Sequence, residues 1–225
     1  MNISDRILKQ RLENIYFLWG RGKTTIAAIL RARFGAVIYS TNDSRWPHMC
    51  QAHPEEQPYM CRDYEAEYGV TFWELPKAVI AEREAHFLCE MTPFIVADLL
   101  TMAGKHPIVI CEGDIDYEAA APIASHAVYL CNRSTGFDWF NRPDHADALD
   151  AIRRRTDLTD AEKQAKIDAA YEAVNTDEGR IPAWVRQHGI DVVIWDDHTA
   201  PDETADAVAA VFGLSQSSQM QAEII

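Results

Sequence analysis

Apolar and polar positions divide the chain into short apolar runs separated by longer stretches of helical spacing. Five runs rich in Val, Ile and Tyr recur, at residues 15–19, 36–40, 107–111, 127–131 and 192–195. Each is continuous rather than alternating, the pattern of a strand buried on both faces. Between them apolar residues return at i, i+3 and i+4, so the chain reads β-α-β-α-β-α-β-α-β. That order predicts an α/β fold, a doubly wound sheet of five parallel strands with helices on both faces.

The helix after the second strand is long. Its stripe of Ile80, Phe87, Met91, Ile95, Leu99 and Met102 keeps helical spacing over residues 77–103, with a kink expected at Pro93. Thr159 and Glu162 form a capping box that opens a surface helix over residues 160–173. Residues 41–71 are polar, contain Pro47, Pro54 and Pro58, and show only a weak helical stretch near 62–68. That is long for a plain connection, and such insertions often carry substrate contacts. Residues 1–13 read as a short helix packed on the body, residues 1–214 as one domain, and residues 215–225 as a frayed tail.

Composition narrows the function classes. The 225 residues carry a formal charge of −14 with 48% apolar content, enough apolar surface for a full core without metal or disulfide staples. An acidic balance repels phosphate backbones, so nucleic acid is not an expected partner. No apolar run approaches the roughly 18–20 residues of a membrane span, and Asp5 and Arg6 stand where a signal peptide would begin its apolar stretch. The expectation is a cytoplasmic protein without a membrane partner. Its five scattered cysteines fit reduced thiols rather than a disulfide framework.

The chemistry concentrates in Gly20-Arg21-Gly22-Lys23-Thr24-Thr25, which follows the first strand and opens a helix. Glycines let backbone N–H groups curl around an anion, and the helix N-terminus adds partial positive charge. Lys23 has the reach for β- and γ-phosphates, and the Thr24 hydroxyl is a ligand type for Mg²⁺. With this loop, Asp43 after the second strand, Glu112 ending the third and arginines before the fifth, the chain resembles the P-loop small-molecule and nucleotide kinases. That group includes adenylate, shikimate, antibiotic-modifying and zeta-toxin-like kinases. The resemblance spans residues 14–214 and implies strand order 2-3-1-4-5, with a helical lid over residues 133–180. It also implies ATP and Mg²⁺ as cofactors and a small-molecule hydroxyl as acceptor. One departure stands out. The loop pattern G-x-x-x-x-G-K-[ST] places its first glycine at the position of Phe17, inside the strand, so this loop is about three residues short.

The resemblance implies that residues Gly20 to Thr25 hold the nucleotide phosphates, that Thr24 and Glu112 hold the metal, and that Lys23, Asp43, Arg133 and Arg142 serve transfer. Asp43 has a second reading, as part of an Asx turn or cap in Asn42-Asp43-Ser44. Glu112, Asp114 and Asp116 stand between a metal or acceptor role and solvated loop acids. The run Arg153-Arg154-Arg155 reads either as lid charge or as a solvated basic face. His48, Cys50, His53 and Cys61 are metal-ligand types whose spacing matches no standard zinc site. Trp46, Tyr59, Tyr64, Phe72 and Trp73 either line an acceptor pocket or anchor the insertion. The acids Glu55, Glu56, Asp63, Glu65 and Glu67 suit a cationic acceptor or a solvated face. Two further functions stay open beside a kinase: a nucleotide-binding or NTP-hydrolysing protein without transfer, and a non-catalytic descendant with a degenerate loop.

Overall fold

The structure, a computed structural model, describes residues 13–70, 74–133, 140, 149–175 and 181–215. Its centre is a parallel sheet of β1 (Ile15–Gly20), β2 (Val37–Ser40), β3 (Val109–Glu112), β4 (His126–Asn132) and β5 (Asp191–Trp195), in the order β2-β3-β1-β4-β5. Both the strand positions and the order agree with the expectation. Residues 1–12 of the helix expected at 1–13, the aromatics Phe72 and Trp73, Arg142 and residues 216–225 of the expected tail lie outside the described residues.

The central strand shows why the apolar runs are continuous. Ile15, Phe17 and Trp19 of β1 enter one core layer, while Tyr16 and Leu18 enter the other. Side chains alternate across a strand, so a strand covered on both faces must be apolar at every position. On the first face lies α5 (Lys77–Ala103), which buries Phe87, Met91, Ile95 and Leu99 along one stripe. Pro93 removes the bond that the Cys89 carbonyl would accept, yet the helix continues through it. This helix is long and apolar enough to cross a membrane by length and composition, but here its stripe is spent on the sheet. On the second face α1 (Lys23–Phe34) and α10 (Pro201–Val211) supply Ile26, Ala27, Leu30, Ala205, Val208 and Ala209, with Phe212 following.

The insertion after β2 is more ordered than its polar sequence suggests. It forms α2 (Thr41–Met49), α3 (Pro58–Cys61) and α4 (Tyr64–Tyr68). Only the last was expected. The sequence hides α2 because Pro47 lies inside it and just two of its residues, Thr41 and His48, are buried. Two anchors hold it instead: the Ser40 side chain caps its first turn by accepting from the Asp43 N–H at 3.3 Å, and Tyr39 hydroxyl meets His48 Nε2 at 2.8 Å.

Three short helices, α6 (Tyr117–Ala120), α7 (Asp150–Arg153) and α9 (Ala183–Gln187), bracket β4 and precede β5. Between the last two runs α8 (Asp160–Asn175), opened by the expected capping box: Thr159 N–H donates to Glu162 Oε2 at 2.7 Å and Glu162 N–H to Thr159 Oγ1 at 3.3 Å. The Glu74 carboxylate, whose side chain is fully buried, ties this part to the start of α5. It receives Arg155 and Lys166, each at 3.0 Å.

Because Phe87 is fully buried between α5 and the insertion, Phe87→Ala is expected to cost about 3–5 kcal/mol of unfolding free energy. Urea denaturation followed by circular dichroism measures this; a loss below 1 kcal/mol, about the value of an exposed site, would contradict the packing described.

Candidate active site at the sheet's C-terminal edge

Because all five strands are parallel, their last residues Gly20, Ser40, Glu112, Asn132 and Trp195 share one edge of the sheet. Ligand crevices of open α/β sheets form at this edge. Only Arg21 and Gly22 separate β1 from α1 there. Gly20 has φ 87°, and a Cβ on it would stand 2.1 Å from the Leu130 carbonyl oxygen, so no other residue fits. Gly22 also has φ 87° and caps α1 without a side-chain bond. The first-turn N–H groups of Lys23, Thr24 and Thr25 have no acceptor within the helix. The positive end of α1 therefore faces the crevice open to an anion.

Both backbone groups of Arg21 are taken. Its N–H donates to the Leu130 carbonyl at 3.3 Å, and its carbonyl accepts from Trp195 Nε1 at 3.1 Å. This brace from β5 was missed in the sequence, where the one available signal is a tryptophan closing the fifth apolar run.

Beside the loop, Thr24 Oγ1 donates to Glu112 Oε2 at 3.2 Å. Glu112 ends β3, level with Leu18 of β1 and Ser40 of β2, and is only 3% exposed. Among the described residues, Thr24 is its side-chain partner and no basic side chain pairs with it. A buried carboxylate held by one hydroxyl is under-compensated, and a cation is what would complete it. The two oxygens suit a hard cation. Among the described residues no group of three or more His, Cys, Asp or Glu gathers for a metal, but Mg²⁺ beside phosphates is held by one or two protein oxygens, with water and phosphate supplying the rest. The donor set thus fits Mg²⁺, and the open helix end fits phosphate. Gly113 follows with φ 120°, where a Cβ would meet Thr41 Oγ1 at 2.0 Å, so α2 abuts this point closely.

The other sequence candidates are placed as follows. Asp43 is exposed in the first turn of α2; the helical period sets it on the side opposite Thr41, and the cap of that helix is Ser40 rather than Asp43. Arg133 follows β4 on the same sheet edge, with its side chain exposed and its N–H bonded to the Trp195 carbonyl at 2.8 Å. Asp114 is exposed, while Asp116 caps α6 through the Glu118 N–H at 3.1 Å. The arginine triplet is engaged in ion pairs: Arg153 and Arg154 with Asp150 at 3.0 Å each, and Arg155 with Glu74 and Asp157. The Arg155 guanidinium holds the Asp157 carboxyl down at about 2.

In the insertion, His48 turns inward to Tyr39 and lies 3.3 Å from Asp98, while Cys50 and Cys61 are exposed. Burial pushes the Tyr39 hydroxyl upward. Glu67 pairs with Arg62 and Asp63 caps α4, so part of the acidic run holds local structure. Tyr59 stacks on His86 with ring centroids 4.2 Å apart, Tyr64 is buried under Arg62, and Trp46 is 70% exposed.

Strand order 2-3-1-4-5, with a glycine turn leading from the central strand into a helix, defines a P-loop α/β fold of the nucleotide-kinase arrangement. No protein-family model and no curated protein sequence matches the chain. Solved structures similar to it include a dephospho-CoA kinase from Campylobacter jejuni, at 11% identity and TM-score 0.43, covering 89% of this chain and 98% of that one. A sugar kinase from a Janibacter species gives 12%, TM-score 0.39, 91% and 96%. A Thermus thermophilus protein gives 15%, TM-score 0.44, 89% and 96%. These likenesses are loose, and the fold rests on the strand order and the placement of the loop.

Gly20→Ala forces either the β1–β4 pairing or the turn apart, at an expected cost of about 3–5 kcal/mol from strain and overpacking together. Thermal unfolding of that variant measures it, and a melting temperature equal to wild type would contradict the close approach to Leu130.

Proposed function

We propose that the protein is an ATP- and Mg²⁺-dependent phosphotransferase acting on a hydroxyl of a small molecule. The observation that carries this reading is the buried Glu112 carboxylate beside the Thr24 hydroxyl, at the mouth of an open helix N-terminus. Bound Mg-ATP would supply the transferable phosphoryl group. Lys23 and the first-turn amides of α1 hold its phosphates, with Gly20, Arg21, Gly22 and Thr25 shaping the turn. Thr24 and Glu112 hold the metal. Asp43, exposed in the first turn of α2 just after β2, takes the proton of the acceptor hydroxyl. Arg133 and Arg142 meet the charge that spreads over the transferring group. Positioning and electrostatics suffice for such a reaction without a covalent enzyme intermediate. We place it in the cytoplasm, with no nucleic-acid or membrane partner.

The shortened loop supports a second reading, in which nucleotide is bound or hydrolysed without transfer, or the loop has lost its ligand. Thermal shift with Mg-ATP separates these. At a hundred times Kd a ligand of the native state adds about 2.7 kcal/mol, so the wild type is expected to melt later with Mg-ATP while Lys23→Ala and Glu112→Gln do not. No shift in the wild type would end both nucleotide readings. With an acceptor found by screening, Asp43→Asn is expected to lower kcat about 10²–10⁴-fold with ATP affinity kept, the range for loss of a general base. Unchanged turnover would remove Asp43 from the reaction.

A further inference from the structure

The loop from β1 to α1 is too short to arch over a phosphate on its own, yet it is fixed on both sides. The structure assigns this task to Trp195: resting on the proposed phosphate site, it is a positioning residue that stands in for the missing loop residues and holds the Arg21–Gly22 turn in its ligand-ready shape. Three observations carry the assignment. The indole N–H donates to the Arg21 carbonyl at 3.1 Å. The same ring fills the space next to Gly22, where a Cβ would come within 2.9 Å of Cζ2. The backbone of Trp195 is itself locked, with its carbonyl accepting from Arg133 N–H at 2.8 Å and its residue in register with Asn132. The peptide groups on either side of Arg21 are therefore bonded, one to β4 through the Arg21 N–H and the other to β5 through the Arg21 carbonyl.

This arrangement has a functional reason. A two-residue turn with glycine φ values of 87° at Gly20 and Gly22 is mobile when left alone, because glycine enters many backbone states. An anion held by the α1 amides needs them aimed before binding, since ordering them on binding lowers affinity. A ring wedged against Gly22 and a bond to the preceding carbonyl supply that order from outside the loop. Trp195→Phe removes the indole N–H together with the distal ring that carries Cζ2, so both the bond to the Arg21 carbonyl and the wedge against Gly22 are lost and the turn is freed.

The test measures binding by calorimetry with two probes, Mg-ATP and Mg-tripolyphosphate, on the wild type and on Trp195→Phe. Both affinities are expected to fall by the same factor, at least about threefold, since the variant loses one neutral hydrogen bond and the ring contact with Gly22 as well. Amide hydrogen exchange supplies the readout that a merely structural role would not give: faster exchange confined to residues 21–25, with α10 unchanged. Equal affinities in both proteins overturn the assignment. A loss confined to ATP overturns it too, since the ring would then be reading the base. Exchange accelerated equally in α10 reduces Trp195 to a packing residue and has the same consequence. A wild type that binds neither probe instead overturns the phosphate-site reading, and this inference with it.

Discussion

Burying a carboxylate at the end of a central strand commits the chain around it. Glu112 is 3% exposed, and its partner is the Thr24 hydroxyl 3.2 Å away. Ionised carboxylates resist removal from water unless paired, so the neighbourhood must hold that hydroxyl in place and leave room for positive charge. Parallel pairing of β1 with β3 does the first, by setting Leu18 level with Glu112. Two further constraints tighten it: Gly20 lets β1 approach the Leu130 carbonyl, and Gly113 lets α2 approach β3. The second condition is met by the open end of α1, whose amides and Lys23 lie next in sequence.

The two sides of the sheet serve this edge differently. One face is closed by the long apolar stripe of α5, the other by α1 and α10. That double cover is what makes β1 rigid enough to present a short turn. The insertion after β2 is attached to the first face through Tyr39, His48 and Asp98, and through Arg45 lying 4.0 Å over the Phe87 ring. Ion pairs from Glu74 to Arg155 and Lys166 fasten α7 and α8 to the start of α5. The charges there are spent on structure, so the triplet of arginines offers little to a ligand at the sheet edge.

Most of the fold was legible because burial on two faces writes itself into consecutive apolar residues, as in Ile15 to Trp19. Strand order is less direct: spacing permits several arrangements, and only the resemblance to P-loop kinases pointed to 2-3-1-4-5. The helix α2 was illegible for a physical reason, since a helix held by one cap, one buried histidine and an interior proline has no apolar stripe to show. At the site, the loop motif and Glu112 were visible as residue types at strand ends, whereas their 3.2 Å meeting is a matter of register. Trp195 lies 174 positions from the Arg21 it bonds. No local pattern carries such a contact.

The central claim is that Thr24 and Glu112 form the cation half of a nucleotide phosphate site. Calorimetric titration of the wild type with ATP, with and without Mg²⁺, tests it most directly. Saturable binding strengthened at least about tenfold by Mg²⁺, equivalent to about 1.4 kcal/mol, is the result the account predicts. ATP affinity indifferent to Mg²⁺, or no binding in either condition, would contradict it.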